Sequence, residues 1–182
     1  MHFKPMQRMI NPKHPPPHTL MTNPCRILEA DLDLPAHQEA IRFLTATYAL
    51  DPMGNGAPLP VEVLDRLIPG LRGHPTALIF LAYLQDRPIG IATCFRGFST
   101  FAARPLINIS DFAILPGFRG RGFGRRLLAA VERKAVDLGC CRITLEVQEN
   151  NTRARRVYEE SGFSQAVYGP ETGGSLYYWK PL

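Results

Sequence analysis

Sixteen residues in the second half of the chain, 109–124, constrain the fold more than any other stretch. They read Ile-Ser-Asp-Phe-Ala-Ile-Leu-Pro-Gly-Phe-Arg-Gly-Arg-Gly-Phe-Gly. The first half is apolar and β-prone, and Pro116–Gly117 ends it. Glycines at 117, 120, 122 and 124 then let the backbone curl tightly. Residues 121 or 122 to 138 follow as a helix. Leu127, Leu128, Val131, Ala135 and Leu138 form its apolar stripe, and Gly139 stands where a left-handed C-cap belongs. A strand, a glycine turn and a long helix in direct succession leave several amide N–H groups pointing together at the positive end of a helix dipole. The predicted occupant is a phosphate or pyrophosphate. The bland alternative is a tight strand-to-helix turn that holds nothing.

Charge supports an anionic ligand. The net charge is only +5, but residues 119–134 carry six basic side chains against one acid, Glu132. Such a local field favours a phosphorylated cofactor or a nucleic acid, unless it is simply a solvated helix face. No Gly-Lys-Ser/Thr triplet is present, so the turn is not a Walker A loop. The glycine spacing also departs from the dinucleotide fingerprint and falls late in the chain.

The rest of the chain reads as one domain with an appendage. Residues 1–24 hold six prolines, basic residues and no acid, which predicts a disordered, polyproline-like arm. Met21 is an alternative start to Met1. The folded unit is expected over 25–182. Its predicted strands are 26–30, 76–84, 88–98, 106–115, 141–147, 163–168 and 175–180, seven in all. Its predicted helices are 35–50, 61–68 (stopped by Pro69–Gly70), 121/122–138 and 152–161 (capped by Asn150 or Asn151). That is a mixed α+β arrangement. No apolar run is long enough to span a bilayer, and no secretory signal is evident, so no membrane partner is expected. Cys25, Cys94, Cys140 and Cys141 show no metal-ligand spacing. They read as reduced thiols in a cytoplasmic protein, with no metal.

A second segment, 147–163, sharpens the reading: Val-Gln-Glu-Asn-Asn-Thr-Arg-Ala-Arg-Arg-Val-Tyr-Glu-Glu-Ser-Gly-Phe. With the glycine turn it resembles the GNAT superfamily of acyl-CoA N-acyltransferases. Arg119, Gly122 and Gly124 match the family's Arg/Gln-x-x-Gly-x-Gly/Ala loop. Asn151, Ala154, Tyr158, Gly162 and Phe163 match its Asn-x-x-Ala-x-x-x-Tyr-x-x-x-Gly-Phe segment. The resemblance implies a mostly antiparallel sheet of about seven strands flanked by about four helices, with a splayed central parallel pair. It implies an acetyl-CoA-dependent N-acetyltransferase that acts on a primary amine by direct attack in a ternary complex. The acceptor would be a small-molecule or peptide amine. Related enzymes are often dimers, which makes a homodimer an expectation.

The resemblance also implies site roles. The CoA pyrophosphate would rest on amides of Arg119, Gly120, Arg121, Gly122, Phe123, Gly124 and Arg125. The pantetheine arm would lie along Phe112, Ala113 and Ile114, pairing with the backbone of Phe112 and Ile114. An amide near Phe112 would donate to the oxygen on which charge develops. Asn151 would touch the arm, and small Ala154 would let it pass. Tyr158 would donate a proton to the departing thiolate, since an ordinary phenol is acidic enough to do so. By spacing alone Tyr158 reads as a packing residue, since Ala154, Val157, Tyr158 and Ser161 make a helical stripe. Asp111 or Glu146 would be the base that takes the amine proton, unless Asp111 is a structural hydrogen-bond acceptor and Glu146 a solvent-facing strand residue. The histone-modifying branch of the family has a glutamate where this chain has Asn108, and an amide cannot act as base. Cys140 or Cys141 as an acyl carrier is the weaker alternative. Asp51 or Glu171 could bind a cationic amine, with Tyr48, Phe98, Phe101, Tyr168, Tyr177, Tyr178 and Trp179 as aromatic walls. Two rival readings stand beside the enzyme. One is a non-catalytic CoA-binding or regulatory module. The other is a nucleic-acid binder using the 119–134 and 153–156 basic clusters, although no nucleic acid partner is expected.

Overall fold

The computed structural model describes residues 25–167, 171, 174–178 and 180–181. The proline-rich arm over 1–24, Tyr168 and Trp179 lie outside the described residues. Among the described residues the order is β1 (Arg26–Glu29), α1 (Pro35–Ala49), α2 (Val61–Gly73), β2 (Ala77–Leu84), β3 (Arg87–Ser99), β4 (Arg104–Ile114), α3 (Phe123–Asp137), β5 (Ile143–Leu145) and α4 (Thr152–Glu160). A single 3-10 turn, Pro116–Phe118, joins β4 to the glycines before α3. The strands form one sheet in the order β1-β2-β3-β4-β5. Three pairings are antiparallel, and β4–β5 is parallel.

Both faces of the sheet are covered, which is why β2, Ala-Leu-Ile-Phe-Leu-Ala-Tyr-Leu, is apolar at every position. Phe80 and Ala82 point to the face packed by α3 and α4, in a cluster with Leu127, Leu128, Val131 and Tyr158. Ile79, Leu81 and Tyr83 point to the other face, against Ile41 and Leu44 of α1 and Ile68 and Leu71 of α2.

Two expectations are corrected. The sheet has five strands among the described residues, not seven. Among the described residues from 163 onward, the pairing is an isolated Val167–Gly174 bridge and a Ser175 N–H to Ala166 carbonyl bond of 3.3 Å. Val167, Leu176, Tyr177 and Tyr178 stay exposed, so no burial of apolar surface holds them as strands. The second correction is α2, which runs through Pro69 to Gly73 instead of stopping there. A proline inside a helix costs about 3 kcal/mol. Beyond it, Leu71 packs into the core and Arg72 is tied to the Leu32 carbonyl at 2.7 Å and to Asp33 at 3.1 Å. These contacts hold the last turn.

The parallel pairing is short. β4 meets β5 only at Ile107–Ile143, Asn108–Thr144 and Ile109–Leu145. A bulge explains why. Thr93 faces Asp111 while Cys94 faces Ile109, so Ser110 is an extra residue on β4. Before the bulge, Ile107 and Ile109 point to the α3 face; after it, Phe112 and Ile114 do, and Ala113 joins the opposite core. Backbone polarity switches too. The Ile107 N–H donates to Arg142 on the β5 side, whereas the Leu115 N–H donates to Ile89 on the β3 side. By strand alternation the N–H and C=O of Phe112 and Ile114 therefore face away from β3. Past Ile109 the two strands part. Glu146 and Val147 leave the ladder, which trims the predicted 141–147 strand to Ile143–Leu145.

Candidate active site

The gap left by the parted strands is a cleft of about 1320 Å³. One wall is the β4 edge, with Ser110, Phe112 and Ile114, and the other is the run past β5, with Glu146, Val147 and Gln148. The glycine turn closes one end. α4 lines a side with Ala154, Val157 and Tyr158, and the loop after α1 contributes Tyr48, Asp51 and Met53.

The turn has the form the sequence predicts. Gly120 and Gly122 take φ of 74° and 79°, which L side chains adopt only under strain. Gly122 is the residue before the first turn of α3, and its carbonyl accepts from the Arg126 N–H at 3.2 Å. Among the described residues no acceptor meets the amides of Gly120, Arg121, Gly122, Phe123, Gly124 and Arg125. Unmet amides at the start of a fifteen-residue helix form an anion cradle. The row starts at Gly120, because the Arg119 N–H already donates to Pro116 at 3.3 Å. Phe123 is buried beneath the turn, and Arg121 folds its guanidinium over Phe118 and Phe123 at 5.9 and 5.3 Å.

Arg119 departs from expectation in its side chain. Its Nη2 donates to Asp51 Oδ2 at 2.5 Å, and its Nε donates to the Ile114 carbonyl at 2.7 Å. The charge the sequence offers to a phosphate is thus matched within the protein. Asp51, proposed as a binder of cationic amine, is taken by the same pair. Besides Arg119, the basic residues lining the cleft are Arg125, Arg153 and Arg156, with Glu160 holding Arg125 at 3.2 Å and Arg156 at 2.9 Å.

Asn151 caps α4, its Oδ1 accepting from the Ala154 N–H at 3.2 Å. That bond places Ala154 and the next turn, Val157 and Tyr158, along the cleft. Tyr158 is 7% exposed, with its ring 5.8 Å from both Phe112 and Phe163. Packing and cleft-lining are both true of it. Burial, and then the neighbouring Tyr48, push its phenol well above the usual tyrosine value. A hydroxyl this reluctant to ionise stays protonated and able to donate a hydrogen bond, but is a poorer acid than the unperturbed phenol assumed from sequence.

The two carboxylate candidates separate. Glu146 is exposed and lines the cleft. Asp111 does not line it. Asp111 is paired with Thr93 across the β3–β4 ladder, and burial raises its pKa, with Thr93 opposing the rise. Thr93, 5% exposed, escaped the sequence reading; a polar residue inside the apolar run of β3 was the available signal. Asn108 is held at 3.0 Å to Thr144 and accepts from Ser110 at 3.2 Å, a polar string at the apex of the split. Neither Cys140 nor Cys141 lines the cleft, and burial raises the Cys140 thiol. All four cysteines are free thiols, and no metal-holding cluster occurs among the described residues. Glu171, Phe98 and Phe101 are exposed and outside the cleft, whereas Tyr177 lines it. No helix of the described residues is long and apolar enough to cross a membrane.

The chain is 28% identical over 95 residues to the uncharacterized N-acetyltransferase YhfO of Bacillus subtilis, covering 52% of this chain and 63% of that protein. It is 31% identical over 61 residues to an aminoglycoside N(6')-acetyltransferase type 1 of Salmonella typhimurium, covering 34% of this chain and 42% of that protein. The chain thus spans less than two thirds of the length of these curated relatives. In fold it is similar to a probable acetyltransferase, with TM-score 0.72 at 20% identity over 86% of this chain and 97% of that one. It is also similar to the aminoglycoside acetyltransferase AAC(6')-Iy, solved with a CoA-linked bisubstrate analogue, with TM-score 0.66 at 21% identity over 87% and 99%. The family model described as Acetyltransferase (GNAT) family matches residues 30–163, which take in β2 to β5, the glycine turn and α4. By that match the chain belongs to the GNAT acetyltransferase family.

Proposed function

We propose that this chain transfers an acetyl group from acetyl-CoA to a primary amine by direct attack within a ternary complex. The observation that carries the reading is the β4–β5 split running into a row of unmet amides at the α3 N-terminus. The fit to an extended ligand with a diphosphate is physical. A strand edge with spare N–H and C=O groups suits an amide-bearing arm, and the amide row suits phosphate oxygens. Acetyl-CoA would supply the acetyl thioester. AAC(6')-Iy, of like fold, has been solved with CoA, which supports the same ligand here.

The residues divide the work. Gly120 to Arg125 hold the diphosphate through backbone amides. Phe112 offers N–H and C=O to the arm, as does the Ile114 N–H, while the Ile114 carbonyl is already engaged by Arg119. The Phe112 amide also stands to donate to the thioester oxygen as charge develops, a term worth roughly 3–4 kcal/mol where measured elsewhere. Asn151 presents Nδ2 from the α4 cap, and Ala154 leaves room. Tyr158 donates its hydroxyl to the sulfur as the thiolate departs. Glu146 accepts the amine proton, directly or through water. Asp111, whose pKa burial raises and which lies behind the cleft wall, is the second candidate, acting through Tyr48.

The acceptor side is formed by Tyr48, Met53, Tyr177 and Glu146. Its aromatic and acidic character fits a cationic small molecule. The resemblance to an aminoglycoside N(6')-acetyltransferase points to the same class. The test is a panel of amines, aminoglycosides and N-terminal peptides incubated with acetyl-CoA, with free thiol followed over time. Turnover on at least one small cationic amine is expected. CoA binding without turnover on any amine would leave the regulatory-module reading in its place.

A further inference from the structure

Asp51 sits in the loop after α1, and the same carboxylate serves two distant pieces of chain. Its Oδ1 accepts from the Met53 N–H at 2.8 Å, and its carbonyl accepts from the Gly54 and Gly56 N–H groups at 2.8 and 3.2 Å. Asp51 therefore shapes the loop 51–56. In that loop Met53 also takes the Tyr48 hydroxyl at 3.2 Å, so Tyr48 is fixed by the same fold of chain. The other oxygen, Oδ2, holds Arg119 at 2.5 Å across 68 residues of sequence. Arg119 opens the glycine turn, and its Nε pins the Ile114 carbonyl on the cleft edge of β4.

Three segments thus meet in one chain of charge-assisted bonds: the loop with Tyr48 and Met53, the phosphate-type turn, and the end of β4. The pair is shielded, with side chains 11% exposed for Asp51 and 27% for Arg119. Burial alone would raise the Asp51 pKa, but the Arg119 hydrogen bond and charge, together with the Met53 amide, hold it below the ordinary value. The carboxylate therefore stays ionised and paired at neutral pH. A shielded bidentate acceptor of this kind transmits displacement, because either end can move only by breaking a bond to a charged group.

We infer that Asp51 is a positioning residue that links the amine-side loop to the CoA turn, so that the two substrates bind with positive coupling. The identity of those substrates rests on the acetyltransferase reading; the mechanical link does not. Arg119 acts through the link and not as a phosphate ligand, and Asp51 holds the loop and is not the base.

The test uses the full chain and the variants Asp51→Asn, Arg119→Gln and the two combined. Without any ligand, hydrogen exchange at the Met53, Gly54 and Gly56 amides should quicken about fivefold in Arg119→Gln, although the substitution lies in another segment. Core amides of β2 and β3 serve as the control for global loosening. CoA is then titrated calorimetrically with and without the best amine of the panel. In the natural chain the amine should tighten CoA about fivefold or more, and in either single variant by less than about twofold. The double variant should be no worse than the worse single, and Asp51→Asn should keep the shape of the pH–rate profile. Loop amides that do not respond to Arg119→Gln, or single effects that add in the double variant, would overturn the link. A natural chain that takes up no CoA would instead sink the acetyltransferase reading, while the ligand-free exchange comparison still decides the link.

Discussion

Tyr158 and Asp111 show how burial retunes a side chain whose type alone suggests a role. The phenol packed against Phe112 and Phe163 is pushed upward, so Tyr158 works best as a neutral donor. Tyr158→Phe keeps the ring packing and loses only the hydroxyl. It should lower kcat by about a hundredfold, the scale for losing one hydrogen-bond donor to developing charge, with little change in the acetyl-CoA KM. An unchanged kcat in steady-state assays would remove the donor role. Asp111 carries a raised pKa in the fold, so the folded state holds its proton more tightly than the unfolded chain does. Its contribution is therefore present below the ordinary aspartate pKa and is lost as pH rises through the folded value. Asp111→Asn removes a desolvated charge. Melting scans from pH 4 to 8 should show the variant at least as stable as the natural chain at pH 8, with the difference shrinking toward pH 4. If Glu146 is the base, Asp111→Asn keeps most activity while Glu146→Gln loses the acidic limb of the pH–rate profile; the reverse pattern assigns the base to Asp111.

At the scale of the element, the glycine turn separates backbone need from space. Gly122 has positive φ with nothing near an added Cβ, whereas Gly124 would bring a Cβ within 3.7–3.9 Å of Phe112, Val157 and Ile114, ordinary contact distances. Gly122→Ala should cost about 1–2 kcal/mol through the left-handed conformation alone. For a chain of this size that is a loss of about 2–8 °C in Tm, with weaker CoA binding because the amide row is displaced. Gly124→Ala should leave Tm nearly unchanged. Equal losses for both, by calorimetry, would show that crowding and not φ governs the turn. The β4 bulge is the counterpart on the strand side. One extra residue, Ser110, reverses which side chains face α3 and which backbone groups face the cleft.

Over the whole molecule, the sheet is closed on both faces but open along part of one seam, where β4 and β5 part. A ligand that fills the seam replaces missing ladder bonds and should stabilise the fold by mass action. At a hundredfold excess over Kd, CoA should add about 2.7 kcal/mol. That corresponds to about 5–11 °C in Tm by scanning calorimetry. No shift at saturating CoA would count against the seam as its site.

Much of this was readable from residues in a row. Local chemistry sets the turn, because only glycine takes φ of 74° and 79° without strain, and sets α3, because its apolar stripe has helical spacing. The Asn151 cap and the face of α4 follow from the same local rules. What the sequence could not decide depended on partners far along the chain. α2 passes Pro69 because Leu71 and Arg72 find distant contacts, and β5 ends at Leu145 because its neighbour bulges away. The Arg119 side chain pairs with Asp51, and Asp111 sits beside Thr93 and not in the cleft lining. In each case a local preference gives way to a tertiary contact or a neighbour's geometry that exists only once remote segments have met.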